Sequence, residues 1–267
     1  FEVDAPEGRA ILAGASSTYS GGTVITNGVL QANPVQLPVA AVNPSVKVCN
    51  TGVLEFATSS GTYAGSIALC GEGSSLNTNL ITNTLTLTGP ISGCGAVHVT
   101  TGNLTLTNCD NEYSGGTTVA AGRTLTGNSC SLQGNILNDG IVNFVQNTTG
   151  DFCGSFSSSS PGSGTINKTG AGILRFCKDS GGFQGTTNIN QGTFDLHALL
   201  GGNLNINSAS LLGDGTVLGS LQLLDGSIGT GSFRVGGPVA IINASSFDGC
   251  INTEANVIID TFSSFTG

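Results

Sequence analysis

The chain has no methionine and no tryptophan, and its 267 residues include only 7 lysines and arginines. Those few cations are scattered, so they supply no phosphate-binding face, and nucleic acid is not an expected partner. Charged residues make up only 9% of the chain, yet no apolar run approaches the ~20 residues that span a bilayer. No direct membrane span is therefore expected. Nothing sustains a 3.6-residue apolar period, which leaves essentially no helix. Proline is scarce at 7, while Val, Ile and Leu are plentiful, so a disordered low-complexity chain is excluded. The 42 glycines follow no three-residue period, which excludes collagen. The chain starts at Phe1 with no signal peptide and reads as a single domain over 1–267, a mature or truncated segment of a longer secreted protein.

What is present is repetition. NEYSGGTTVAAGRTLTG at Asn111 to Gly127 matches STYSGGTVITNGVLQA at Ser17 to Ala32, and GGFQGTTNINQGTFDL at Gly181 to Leu196 is a degraded copy. GTYAGSIA at Gly61 to Ala68 is a fainter echo. The aromatics Tyr19, Tyr63, Tyr113 and Phe183 are spaced as two, two and three units of about 22 to 25 residues, a solenoid period. Within each unit, TLTLT at Thr84 to Thr88, NLTLT at Asn103 to Thr107 and GNLNIN at Gly202 to Asn207 alternate apolar with polar residues. That is a strand with one buried and one wet face. NDG, GDG and LDGS clusters separate the strands and supply corners. The expected fold is all-β: a single-stranded right-handed parallel β-helix of about 22 to 25 residues per rung, roughly 12 rungs in all.

The eight cysteines support this period. They are Cys49, Cys70, Cys94, Cys109, Cys130, Cys153, Cys177 and Cys250, and five of the seven gaps between them equal one rung. Vertical neighbours in a solenoid lie about 4.8 Å apart, within disulfide reach. The preferred pairs are Cys49–Cys70 and Cys130–Cys153; Cys94–Cys109 is a further candidate, and Cys177–Cys250 is the remainder among 105 connectivities. No CxxC occurs and His98 and His197 lack partner spacing, so no metal site is assigned.

No catalytic residue or cofactor is assigned either. The carboxylates Glu55, Glu72, Asp139, Asp195, Asp214 and Asp225 read as mostly single, most of them at corners, and Asp110 with Glu112 as solvated turn chemistry. Arg123 and Arg175 read as exposed corner or strand residues. The serine run at Ser155 to Gly164 reads as a flexible loop.

The pattern Tyr-Ser-Gly-Gly-Thr, a β-branched run, a glycine and a leucine resembles the passenger-associated repeat of bacterial autotransporters. It is carried by Tyr19, Gly21, Gly22 and Thr23 and again by Tyr113, Gly115, Gly116 and Thr117. The resemblance implies a β-helical passenger, extracellular or displayed on the outer membrane. Its expected function is a non-enzymatic scaffold for adhesion or self-association, with partners in its own copies or a host or neighbouring cell surface. Two alternatives stay open: a disulfide-stabilised subunit of an extracellular filament or sheath, and a polysaccharide lyase or hydrolase on the same fold.

Overall fold

The computed structural model describes every residue except 15, 17, 18, 40–42, 58, 59 and 79–82. Ser17 and Thr18, which open the first copy of the repeat, lie outside the described residues. Among the described residues the fold is all-β, a parallel β-solenoid of about 13 turns. Its one helical element is the 3-10 turn Pro34–Gln36, capped by Asn33. The chain divides into two compact units, Phe1–Ile136 and Leu137–Gly267.

In the first unit each turn lays one strand on each of three faces. The first face stacks Thr23–Ile25 on Val46–Val48, Ile67–Leu69, Ile91–Gly93 and Glu112–Tyr113. The second runs through Val53–Phe56, Ser75–Asn77, Ala96–Val99 and Thr117–Val119. The third is Gly61–Tyr63, Thr84–Leu87, Asn103–Leu106 and Thr124–Gly127. These pairings on the three faces are parallel and free of register shifts, so inward residues stack in files from rung to rung. Leu85, Leu104 and Leu125 form one such file, each fully buried. Each leucine buried this way contributes on the order of 1.5–3 kcal/mol.

The second unit is built by the same rule. Its longest sheet stacks Ile141–Val145, Thr165–Thr169, Thr186–Ile189, Asn203–Asn207, Leu221–Leu224, Val239–Ile241 and Val257–Ile259. Its core is aromatic: Phe144, Phe152, Phe156, Phe176 and Phe194 form a continuous cluster, with centroids 5.0 to 6.1 Å apart.

The rung is not of constant length. Stacked side chains are 20 residues apart at Ile91 and Asn111 and 24 apart at Asn143 and Asn167. They are only 17 apart at Asn188 and Asn205, and 18 apart at Asp248 and Thr266. The expected 22 to 25 residues therefore overstates the later rungs. Glycine removes the missing residues. Gly213, Gly231 and Gly249 stack with φ of 120°, 134° and 134°, and a Cβ on Gly231 would meet the Gly213 carbonyl oxygen at 1.9 Å. This corner turns without a loop, so Ile228–Val235 runs as one strand across two faces.

The aromatic spacing also needs correction. Thr23, which follows Tyr19, shares a file with Val46, Ile67 and Ile91. Thr117, which follows Tyr113, lies on the second face below Val97 and Leu76. The step from Tyr63 to Tyr113 is thus not a whole number of turns.

The cysteine pairing differs from expectation for related reasons. Cys109 is bonded to Cys130, one rung on, with Cα atoms 4.7 Å apart. Cys94–Cys109 and Cys130–Cys153 therefore do not form. Cys109 follows a third-face strand, whereas Cys94 follows a first-face strand and has Ser114 as its neighbour on the next rung. Cys177 and Cys250 share a file, but His197, Asp214 and Ser232 stand between them. Four rung spacings, roughly 19 Å, separate the two, far beyond disulfide reach. Cys49 and Cys70 are stacked neighbours with free thiols.

Candidate functional site

The repeat is a local corner device. Tyr113 Oη lies 2.8 Å from Thr117 Oγ1, and Tyr19 Oη lies 2.8 Å from Thr23 Oγ1. Both bonds close over four residues, so the corner is complete whichever face follows it. Burial pushes the Tyr113 phenol up to about 12, against the lowering effect of that bond. The paired glycines let the chain pass close to its neighbours. A Cβ on Gly115 would meet the Gly95 backbone at 2.5 Å, and Gly116 has φ of 81°. At the first copy Gly21 has open space around it, and the Gly22 carbonyl accepts from the Phe1 backbone nitrogen at 3.1 Å. A second glycine then takes the left-handed conformation in all three copies, at Gly28, Gly122 and Gly192. The residue that ends each copy, Leu30, Leu125 or Phe194, is fully buried.

Outward residues form polar ladders. On the first unit Thr62, Thr86, Thr105 and Thr126 stack in register. On the second unit Asn143, Asn167, Asn188 and Asn205 hydrogen-bond in sequence at 3.0, 3.1 and 3.0 Å. Each amide donates to the carbonyl oxygen of the asparagine one rung back. The sequence showed the Thr-x-Thr strands, but the asparagine ladder emerges only once the rung lengths of 24, 21 and 17 are known.

Charges that the sequence reading treated as single are paired between rungs. Arg175 Nη1 donates to Asp151 at 2.9 Å and its Nε to Asp195 at 2.8 Å. His197 continues the line, with Nε2 2.9 Å from Asp195 and Nδ1 2.6 Å from Asp214. The bond to Asp214 raises the His197 pKa; burial opposes it, and the charges of Asp195 and Asp214 add to the rise. Glu55 is buried and paired with Arg9, which also donates to Gln31. His98 is half-buried on an outward position between Asn77 and Thr118, and burial lowers its pKa. Asp110 stays an exposed turn residue, its own N–H bonded to Asn108.

One feature runs against the sequence reading, and a second was not read from it at all. The serine run is tied down: Asp139 accepts from Ser159 N–H at 2.8 Å, from its hydroxyl at 2.5 Å and from Ser163 at 2.8 Å. Those bonds hold the Asp139 carboxyl below its usual range. Lys168 points inward, in the file of Phe144 and Ile189. Its ammonium donates to the Gly170 carbonyl at 2.8 Å and the Gln191 carbonyl at 2.7 Å, and burial brings its pKa down to about 8.

Among the described residues, no group of three or more His, Cys, Asp or Glu is placed to hold a metal ion, and no helix is long and apolar enough to cross a membrane. The polar ladders are the most extended feature of the outer surface. Each repeats one donor and acceptor set over four rungs, Thr62 to Thr126 and Asn143 to Asn205.

Comparison with known proteins agrees with this geometry. The passenger-associated-transport-repeat model matches residues 7–32, 101–126 and 166–196. Each match ends on the strand that follows the left-handed glycine. A protein described as an adhesin, the BmaC autotransporter of Brucella suis biovar 1 (strain 1330), is 35% identical over 224 residues. That match covers 82% of this chain and 6% of the relative's length. No solved structure matches.

Proposed function

We propose, from the premise that this chain is of the autotransporter-passenger type, that it is a non-enzymatic scaffold displayed at a cell surface for adhesion. The observation that carries this reading is the set of in-register outward ladders of threonine and asparagine. A single Thr or Asn contact with a surface is worth little, because each hydrogen bond replaces one made to water. A file that repeats the contact every ~4.8 Å is multivalent, and linked weak contacts gain 10²–10⁴ in avidity without any new chemistry. The BmaC relative is named as an adhesin.

The test is adhesion by a non-adherent bacterium displaying this chain. The reading expects several-fold higher retention on epithelial cells or matrix than with an empty display vector. It also expects the gain to fall when Thr86, Thr105, Asn188 and Asn205 are together replaced by glutamate. Retention equal to the vector would overturn it.

Self-association is the second reading. The exposed apolar side chains of Leu212, Leu218 and Ile228 favour it, with Leu218 50% and Ile228 55% exposed. Light scattering that rises with protein concentration, and that Leu218→Ser with Ile228→Ser abolishes, would support copies of the chain as the partner.

A further inference from the structure

Three free thiols occupy successive places in one corner file. Val48 pairs with Leu69 and Leu69 with Gly93, so the residues that follow them, Cys49, Cys70 and Cys94, stand one above another. All three are free and Cys70 is exposed, its thiol donating to the Ala68 carbonyl at 3.8 Å. Each neighbouring pair lies one rung apart, the relation already bridged at Cys109 and Cys130. Cys49 and Cys94 are two rungs apart, roughly 9.6 Å, beyond disulfide reach. Cys70 can therefore bond to either neighbour, and the outer two cannot bond to each other.

We propose that Cys49, Cys70 and Cys94 form a thiol–disulfide exchange file, in which Cys70 is held in a disulfide with one neighbour and the other neighbour is a covalent attachment point for a disulfide-bearing molecule. An odd number of thiols in one file always leaves one over. The first disulfide forms when a thiolate attacks a small-molecule disulfide and releases one thiol. A second thiolate of the file then attacks the mixed disulfide and releases the other thiol. Exchange needs no further oxidant: Cys94 thiolate attacks the Cys70 sulfur of a Cys49–Cys70 bond, one S–S bond forms, one breaks, and Cys49 leaves as thiolate. The free thiol thus moves across two rungs. Cys153 and Cys177 provide the even-numbered contrast. They stack as neighbours, and the next residue in their file is His197, so one disulfide consumes them without remainder.

The test uses the purified full chain, reduced, incubated with oxidised glutathione, acid-quenched and mapped by peptide mass spectrometry. The expected result is one glutathione in this file, divided between Cys49 and Cys94, with Cys70 always in an intrachain disulfide and Cys153 bonded to Cys177. Cys70→Ser should carry two glutathiones, one each on Cys49 and Cys94. Cys94→Ser should carry none in the file, because Cys49 and Cys70 close on each other. Glutathione on Cys70 of the wild type, or an adduct on the file in Cys94→Ser, would overturn the proposal. Both serine variants alter a corner outside the core, and a wild-type far-UV spectrum confirms their fold. The readout is chemical, so it fails or succeeds independently of adhesion.

Discussion

The Tyr113 hydroxyl and Thr117 Oγ1 lie 2.8 Å apart in a fully buried corner. Phe183 takes the place of this tyrosine in the degraded copy, and the matching threonine, Thr187, has a buried Oγ1 without a partner. Losing one partner of a buried pair costs about 1–3 kcal/mol, and restoring one returns about 0.5–1.5 kcal/mol. Tyr113→Phe should therefore lower the urea unfolding free energy, and Phe183→Tyr should raise it. Stabilisation by Tyr113→Phe would contradict the role given to the corner.

The motif glycines should respond differently at equivalent places. Gly115→Ala drives a methyl into the Gly95 backbone, while Gly21→Ala meets open space. Overpacking against backbone costs on the order of 1–3 kcal/mol, whereas exposed changes stay within about 0.5 kcal/mol. Equal melting shifts for the two variants would show that the glycines do not serve close approach.

Phe176 touches Phe144, Phe152, Phe156 and Phe194. Phe176→Ala should cost about 3–5 kcal/mol by chemical denaturation. Phe262→Ala, at an exposed ring, should change stability by less than about 0.5 kcal/mol.

Two titrations act with opposite signs. The folded pKa of His197 is raised above 6.5, so its contribution is present below pH 6.5 and is lost as pH rises through the folded value. Half the side chain is exposed, so the effect should be under about 1 kcal/mol. His197→Gln should remove the difference in urea midpoint between pH 6 and pH 8. Lys168 has its folded pKa lowered from 10.5 to about 8, so the unfolded chain holds the proton longer and stability rises with pH across that interval. The gain of wild type relative to Lys168→Met from pH 8 to 10.5 should be about 1–3 kcal/mol. A difference that stays flat would mean that the lysine is not charged and buried as described.

Strand identity was legible in the sequence because alternation is a local signal. Thr84–Leu87 and Asn103–Leu106 fall within a residue of their expected limits, with Leu85 and Leu104 inward. Lateral relations were harder, because they depend on how many residues each corner consumes. Cys94 and Cys109 sit 15 residues apart, short of a rung, which carries the chain from one corner to another. Arg175 and Asp214 looked isolated because their partners lie 17 to 24 residues away. Lys168 was in phase with buried Ile166 all along. The usual exclusion of lysine from cores hid it, and the two carbonyls that satisfy its ammonium belong to corners no local pattern reveals.

The most direct test of the coil itself is nuclear Overhauser contact between side-chain amides of the asparagine ladder in isotope-labelled protein. The account predicts that the Asn188 amide protons contact Asn167 on one side and Asn205 on the other, with parallel strand contacts flanking both. Contacts from Asn188 to an antiparallel partner, or to neither asparagine, would contradict it.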